Sequence, residues 1–200
     1  MNKKVKIIIS IIIIILVVIL SIGEKQKEQN IETSISTISS KKMEWGIKRN
    51  NNHEQPDVGK SNKKILESNN GICLGNSEKK YIYLTFDEGY EAGYTPKILE
   101  SLKNNDVKAT FFITAHFVNT QPELVKQIID EGHIVGNHTV NHKSMPTLSE
   151  EEIKKEVMEL HTVIYQKFGY DMKYIRPPKG EFSEKSIIST NNLGYKTVMW

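Results

Sequence analysis

The chain has 200 residues, 38% of them hydrophobic and 26% charged, which fits one soluble domain with an appendage. Its net charge of +3 belongs to one end: residues 1–63 hold 11 Lys and Arg against 6 Asp and Glu, and the remainder holds 16 against 18. A slightly acidic globular part gives no reason to invoke nucleic acid, and a single cysteine, Cys73, excludes both an intramolecular disulfide framework and a thiolate metal site.

Lys3, Lys4 and Lys6 precede an uncharged run of isoleucine, leucine and valine, with two serines, over residues 7–22. At about 1.5 Å per residue such a helix would be about 24 Å long, a little short of a hydrocarbon core of roughly 30 Å. Residues 1–23 are therefore expected to form a membrane anchor or signal helix, with the lysines inside and everything after Gly23 outside the cytoplasm. Ser21 and Gly23 have the small-residue spacing of a signal-peptidase site, so a secreted form cleaved after Gly23 is the alternative. Residues 24–63 are polar and aperiodic and read as a tether, although the later stretch MEWGIKRNNNHEQP carries Trp45 and Ile47 and has the means to pack. The domain proper is expected over 64–200.

Within it, strand and helix alternate. Tyr81, Ile82, Tyr83 and Thr85 favour a strand that ends on Asp87 and Glu88 and then a glycine. Thr95 with Pro96 behind it opens a helix to about Asn104, and KATFFIT (108–114) is the second strand. Thr120 with Glu123 resembles a capping box for a helix whose Leu124, Val125, Ile128 and Ile129 share a face, and 133–136 is a third strand. Ser149 with Glu152 caps the longest helix, with Ile153, Val157, Leu160, Ile164 and Phe168 as its buried stripe. A strand at 173–175, a helix at 183–192 and a strand at 195–200 follow. Five alternations predict an α/β fold with a parallel sheet, whose right-handed crossovers place all strand carboxyl ends on one rim.

That rim collects chemistry. Asp87 and Glu88 follow the first strand, and GNHTVNH after the third puts His138 and His142 four residues apart, a spacing that brings two imidazoles onto one side of a helical turn. RPPKG after the fourth strand brings Arg176 with two stiffening prolines. Alone, each signal has a bland reading: a solvated strand end, a surface histidine pair, a loop anchor. Delivered together by three separate strands, they point to one site. Two nitrogens and an oxygen suit a divalent ion such as Zn²⁺, which lowers the pKa of bound water and polarises a carbonyl. Asp87 is then placed to take a proton from that water, with Arg176 holding it ionised. His116 and His133 have no partner at ligand spacing and read as structural.

The stretches TFDEGYE, HTVNH and RPPKGEFSE resemble the first three motifs of the NodB-type polysaccharide deacetylases, carbohydrate esterase family four. WGIKRNNNHEQPDVGK, YTPKILESLK, TFFITAHFV and EGHIVGNH extend the likeness, from about Trp45 to Trp200, towards the spore-former enzymes that act on N-acetylmuramic acid in cortex peptidoglycan. The resemblance implies a distorted (β/α) barrel, a metal-dependent de-N-acetylase of peptidoglycan glycan strands with no obligate protein partner, and products in which muramic acid closes to its δ-lactam. It also implies Asp87 as general base, His138 and His142 as metal ligands, and Arg176 as the tether of Asp87. Where the family has a third ligand aspartate this chain has Glu88, which either reaches the ion or swings away to leave two histidines and water. The family continues beyond the strand that closes here at Trp200 to a late Leu-His motif whose histidine protonates the leaving amine. The resemblance therefore implies a barrel incomplete at its C-terminus, with unpaired edges, poor solubility and little acetate release from these residues alone. Deacetylation of chitin or N-acetylglucosamine polymers, and a metal-free glycan-binding remnant, are the competing readings.

Overall fold

Hydrophobic periodicity and capping residues account for most of the elements of a computed structural model of the chain. That structure describes residues 2, 15–27 and 38–200. It splits into two units, Met1–Ser39 and Ser40–Trp200. In the first, residues 15–27 form a helix, α1. The expected anchor over 1–23 falls largely on residues outside the described ones; among the described residues no helix is long and apolar enough to cross a membrane.

The second unit is built on a five-stranded parallel sheet of β2 (Thr85–Glu88), β3 (Thr110–Ile113), β4 (Ile134–Asn137), β5 (Tyr174–Ile175) and β7 (Lys196–Thr197). The spatial order follows the chain order, so each crossover adds a strand on the same side, as in a singly wound (β/α) sheet. The crossovers carry α3 (Thr95–Asn104), α4 (Ala115–Thr120), α5 (Pro122–Asp130), α6 (Glu150–Phe168) and α7 (Glu184–Asn192). The main core is made of Phe111, Ile113 and Val135 from the sheet with Leu99, Val125, Ile128, Ile153, Val157 and Leu160 from the helices.

Local signals explain the helix ends. Ser149 accepts from the Glu152 amide and Glu152 reaches back to the Ser149 amide, the reciprocal capping box expected for α6, and Gly169 ends that helix in the left-handed region at φ 65°. The box expected at Thr120 does not form. Thr120 closes α4, with its hydroxyl donating to the His116 carbonyl at 2.9 Å, and α5 begins at Pro122, whose fixed φ suits a first turn. The first strand is also shorter than expected. Ladder pairing starts only at Thr85, because β3 begins opposite it, and Tyr81, Ile82, Tyr83 and Leu84 lie exposed before it.

The compact unit starts at Ser40, so the tether expected to reach residue 63 ends earlier. β1 (Met43–Glu44) pairs antiparallel with β6 (Glu181–Phe182), Lys48 and Asp57 form a bridge, and α2 (Lys60–Ser68) follows. Trp45, Val58 and Leu66 form a second core with Phe182, Ile187 and Met199. The indole of Trp45 explains why: it removes a large apolar surface from water and still satisfies its N–H, which donates to the Trp200 carbonyl at 2.8 Å. Ile72 then runs parallel to Val198, its amide donating to the Thr197 carbonyl at 2.8 Å, and covers the outer side of β7. Ile72 thus pairs beside β7, where an incomplete barrel was expected to leave an unpaired strand edge. Among the described residues β2 pairs only with β3.

Candidate functional site

Asp87 and Glu88 are consecutive residues of β2, and consecutive side chains on a strand point to opposite faces. This separates them. Asp87 is part-exposed, and its Oδ1 accepts a hydrogen bond from Arg176 Nη1 at 2.8 Å. Arg176 itself is buried. Its Nε donates to the Val198 carbonyl at 3.2 Å and its Nη2 to the Met199 carbonyl at 3.1 Å, while the guanidinium lies 4.2 Å from the Phe112 ring centroid. Phe112 reaches that position because residue 136 is glycine: a Cβ there would overlap the Phe112 ring. Burial pulls the Arg176 pKa below its ordinary value and the Asp87 charge opposes the fall, so the guanidinium remains a fixed cation.

His138 continues from β4 and is buried, with its amide donating to the Ile113 carbonyl at 2.9 Å. Its Nδ1 lies 2.8 Å from the Arg176 carbonyl, an acceptor, so Nδ1 carries the proton and Nε2 presents a lone pair. That Nε2 is 3.8 Å from Asp87 Oδ2. The His142 ring stands edge-on to it, with centroids 4.8 Å apart at 69°. Both imidazoles are held below the usual histidine range: His138 by burial, against the pull of Asp87, and His142 by burial and then Lys179. They are therefore neutral near pH 7, the form that binds a metal.

The backbone between these histidines is unusual. Thr139 at φ 69° and His142 at φ 53° occupy the left-handed region without being glycine. Bonds from several directions hold them there. The Thr139 amide donates to Asn137 Oδ1 at 2.8 Å and the His142 amide to Thr139 Oγ1 at 3.1 Å. The Asn141 amide and side-chain Nδ2 donate to Glu156 Oε2 and Oε1 at 2.7 and 2.8 Å. Glu156 and Asn137 escaped the motif reading. The available signal was an acid set among Ile153, Val157 and Leu160 on the buried stripe of α6.

Glu88 lies on the other face, buried beside Thr95. Burial, and then the charge of Glu91, push its carboxyl up to about 7. Among the described residues no three His, Cys, Asp or Glu side chains gather at metal-holding distance, so Glu88 is not brought together with His138 and His142. Of the remaining histidines, His116 packs on Tyr90 with ring centroids 4.4 Å apart. His133 sits at the opposite end of the sheet, where its Nδ1 accepts from the Ala109 amide at 3.3 Å.

A divalent ion fits this donor set in part. The two neutral imidazoles supply its protein nitrogens, with a free lone pair assigned at His138 Nε2. Chemically, the rim offers a carboxylate pinned by a buried guanidinium next to an imidazole pair, a set suited to drawing a proton from water and stabilising charge on a carbonyl oxygen.

Residues 74–198 match the family model described as polysaccharide deacetylase. The chain is 45% identical over 164 residues to the peptidoglycan-N-acetylmuramic acid deacetylase PdaA of Bacillus subtilis, covering 82% of this chain and 62% of that protein. The solved structure of B. subtilis PdaA, a family 4 carbohydrate esterase, superposes with a TM-score of 0.79 at 44% identity, over 82% of this chain and 70% of the other. A family 4 carbohydrate esterase from Bacillus anthracis gives 0.75 at 40% identity, over 82% and 75%. A peptidoglycan-N-acetylglucosamine deacetylase of Bacillus cereus is 36% identical over 126 residues, 63% of this chain and 46% of that protein. The chain thus spans a little under two thirds of the length of the first of these relatives.

Proposed function

Because the chain belongs to the polysaccharide deacetylases, the family 4 carbohydrate esterases, we propose that it removes N-acetyl groups from the amino sugars of peptidoglycan glycan strands, with N-acetylmuramic acid as the sugar. The observation that carries this reading is the hydrogen bond from Arg176 to Asp87, which aims the second carboxylate oxygen at His138 Nε2 from 3.8 Å.

Asp87 acts as the base that accepts a proton from the attacking water. Arg176 keeps that carboxylate charged and oriented, because turning it away would leave a buried guanidinium unpaired. His138 and His142 are the residues that would hold the divalent ion, zinc by the donor set. When bound, such an ion makes water more acidic and polarises the acetamide carbonyl. His138 is kept in the ligating tautomer by the Arg176 carbonyl, so one residue orients both the base and an imidazole. Hydrolysis yields acetate and a free amine. On muramic acid that amine sits within reach of the lactyl carboxyl, and closure with loss of water gives the δ-lactam.

A second reading has its own support: 36% identity to a deacetylase acting on N-acetylglucosamine in peptidoglycan. Acetate release separates the two. In a chain carried on through the family's late Leu-His motif, glycan strands stripped of their peptides are expected to be deacetylated on muramic acid, and N-acetylglucosamine oligomers are expected to be poor substrates; the reverse order would move the assignment to N-acetylglucosamine. Assayed in the same extended chain, Asp87→Asn and His138→Ala should each cost about 10²- to 10⁴-fold in turnover, since both residues act on the attacking water. Undiminished acetate release from either variant would end the hydrolase reading of this site.

A further inference from the structure

One turn of α6 holds the segment that carries His138 and His142. The Val140 amide donates to the Glu156 carbonyl at 3.1 Å, and the Asn137 side chain donates to the neighbouring Val157 carbonyl at 2.9 Å. Between them the Glu156 carboxylate takes both the amide and the side chain of Asn141, one on each oxygen. Glu156 is only 5% exposed and shares its face of the helix with Ile153, Val157 and Leu160. Lys143 Nζ, 3.4 Å from Oε1, is the cation that faces it.

A carboxylate on that stripe is costly to bury, and an apolar side chain would serve the packing of α6 better. What an apolar side chain could not do is hold Asn141, which lies between two residues at positive φ. Without that hold, nothing in the intrinsic preferences of Thr139 or His142 would keep the two imidazoles edge-on. We infer that Glu156 is a positioning residue that fixes the spacing and aim of His138 and His142 as a ligand pair for a divalent ion. It touches neither imidazole; it acts through the backbone of residues 140–142. The inference rests on the metal reading given above.

Two measurements on metal-stripped full chain test it: zinc affinity by competition with a chromophoric chelator, and hydrogen exchange of the amides at 140–142. In Glu156→Leu the amides of Val140 and Asn141 should exchange at least about tenfold faster while β3 and β4 keep their protection, and zinc should bind about 10- to 100-fold more weakly. Glu156→Gln should stay within about threefold of the parent, because its amide oxygen accepts the Asn141 N–H and its amide nitrogen donates to the turned-over Asn141 side chain. A merely structural role would give no such rescue. Should Glu156→Leu not fold, Asn141→Ala, which alters an exposed residue, should weaken zinc about three- to tenfold with an unchanged melting temperature. Parent-like zinc affinity in Glu156→Leu or, in its place, Asn141→Ala overturns the inference, as does Glu156→Gln falling as far as Glu156→Leu. A parent chain that binds no zinc, while exchange at 140–142 still responds to Glu156, would instead overturn the metal reading and the ligand-pair role with it.

Discussion

Two adjacent carboxylates on an extended strand live in different solvents. Asp87 faces the rim and the guanidinium of Arg176, whereas Glu88 faces inward and is 8% exposed. The consequence is measurable as stability. Burial raises the Glu88 carboxyl from 4.5 to about 7, so the folded state holds that proton more tightly than the unfolded chain does. Its contribution is complete below pH 4.5 and is lost as pH rises towards 7, a change on the order of 3 kcal/mol at most. Glu88→Gln keeps the neutral form at every pH. Denaturant melts should therefore show the variant gaining on the parent between about pH 4.5 and 7. A stability difference that does not change with pH would contradict the inward placement of Glu88. The motif alone treats the two acids as a pair; the alternation of a strand separates them, and only the ladder register from Thr85 to Glu88 says which one faces the histidines.

At the scale of elements, the segment before the sheet is part of the fold. β1, Trp45 and Ile72 bind it to β6 and β7, and Gly180, at φ 67°, makes room where Trp45 and Trp200 approach. Trp45→Ala removes a buried indole and its bond to the Trp200 carbonyl, and should destabilise the unit by about 3–5 kcal/mol in urea titration. A loss under about 1 kcal/mol would mean that this stretch is a tether after all. The polar composition of residues 24–63 has no apolar period, so Trp45 and Ile47 were the only sign in the sequence that its later part could pack. By contrast the ends of α6 were legible: Ser149, Glu152 and Gly169 act within one turn of the residues they cap.

For the whole molecule, the two sides of the sheet differ. Ile72 covers β7, but beside β2 the residues Tyr81, Ile82, Tyr83 and Leu84 stand exposed, with Ile82 at 88%. An apolar run next to a strand edge is a template for association. Ile82→Lys should raise the concentration at which the protein stays monomeric in sedimentation, without lowering its melting temperature; unchanged association would locate the sticky surface elsewhere. Strand-helix alternation and the caps of α6 were decided by the sequence itself, since each rests on periodicity or on contacts within a few residues. Tertiary structure alone decided the rest. The bond from Trp45 to Trp200 spans 155 positions, and Glu156 reaches the histidine segment from another element. Such partners have no signature in local spacing, because they are chosen by how sheet and helices pack once the chain has closed on itself.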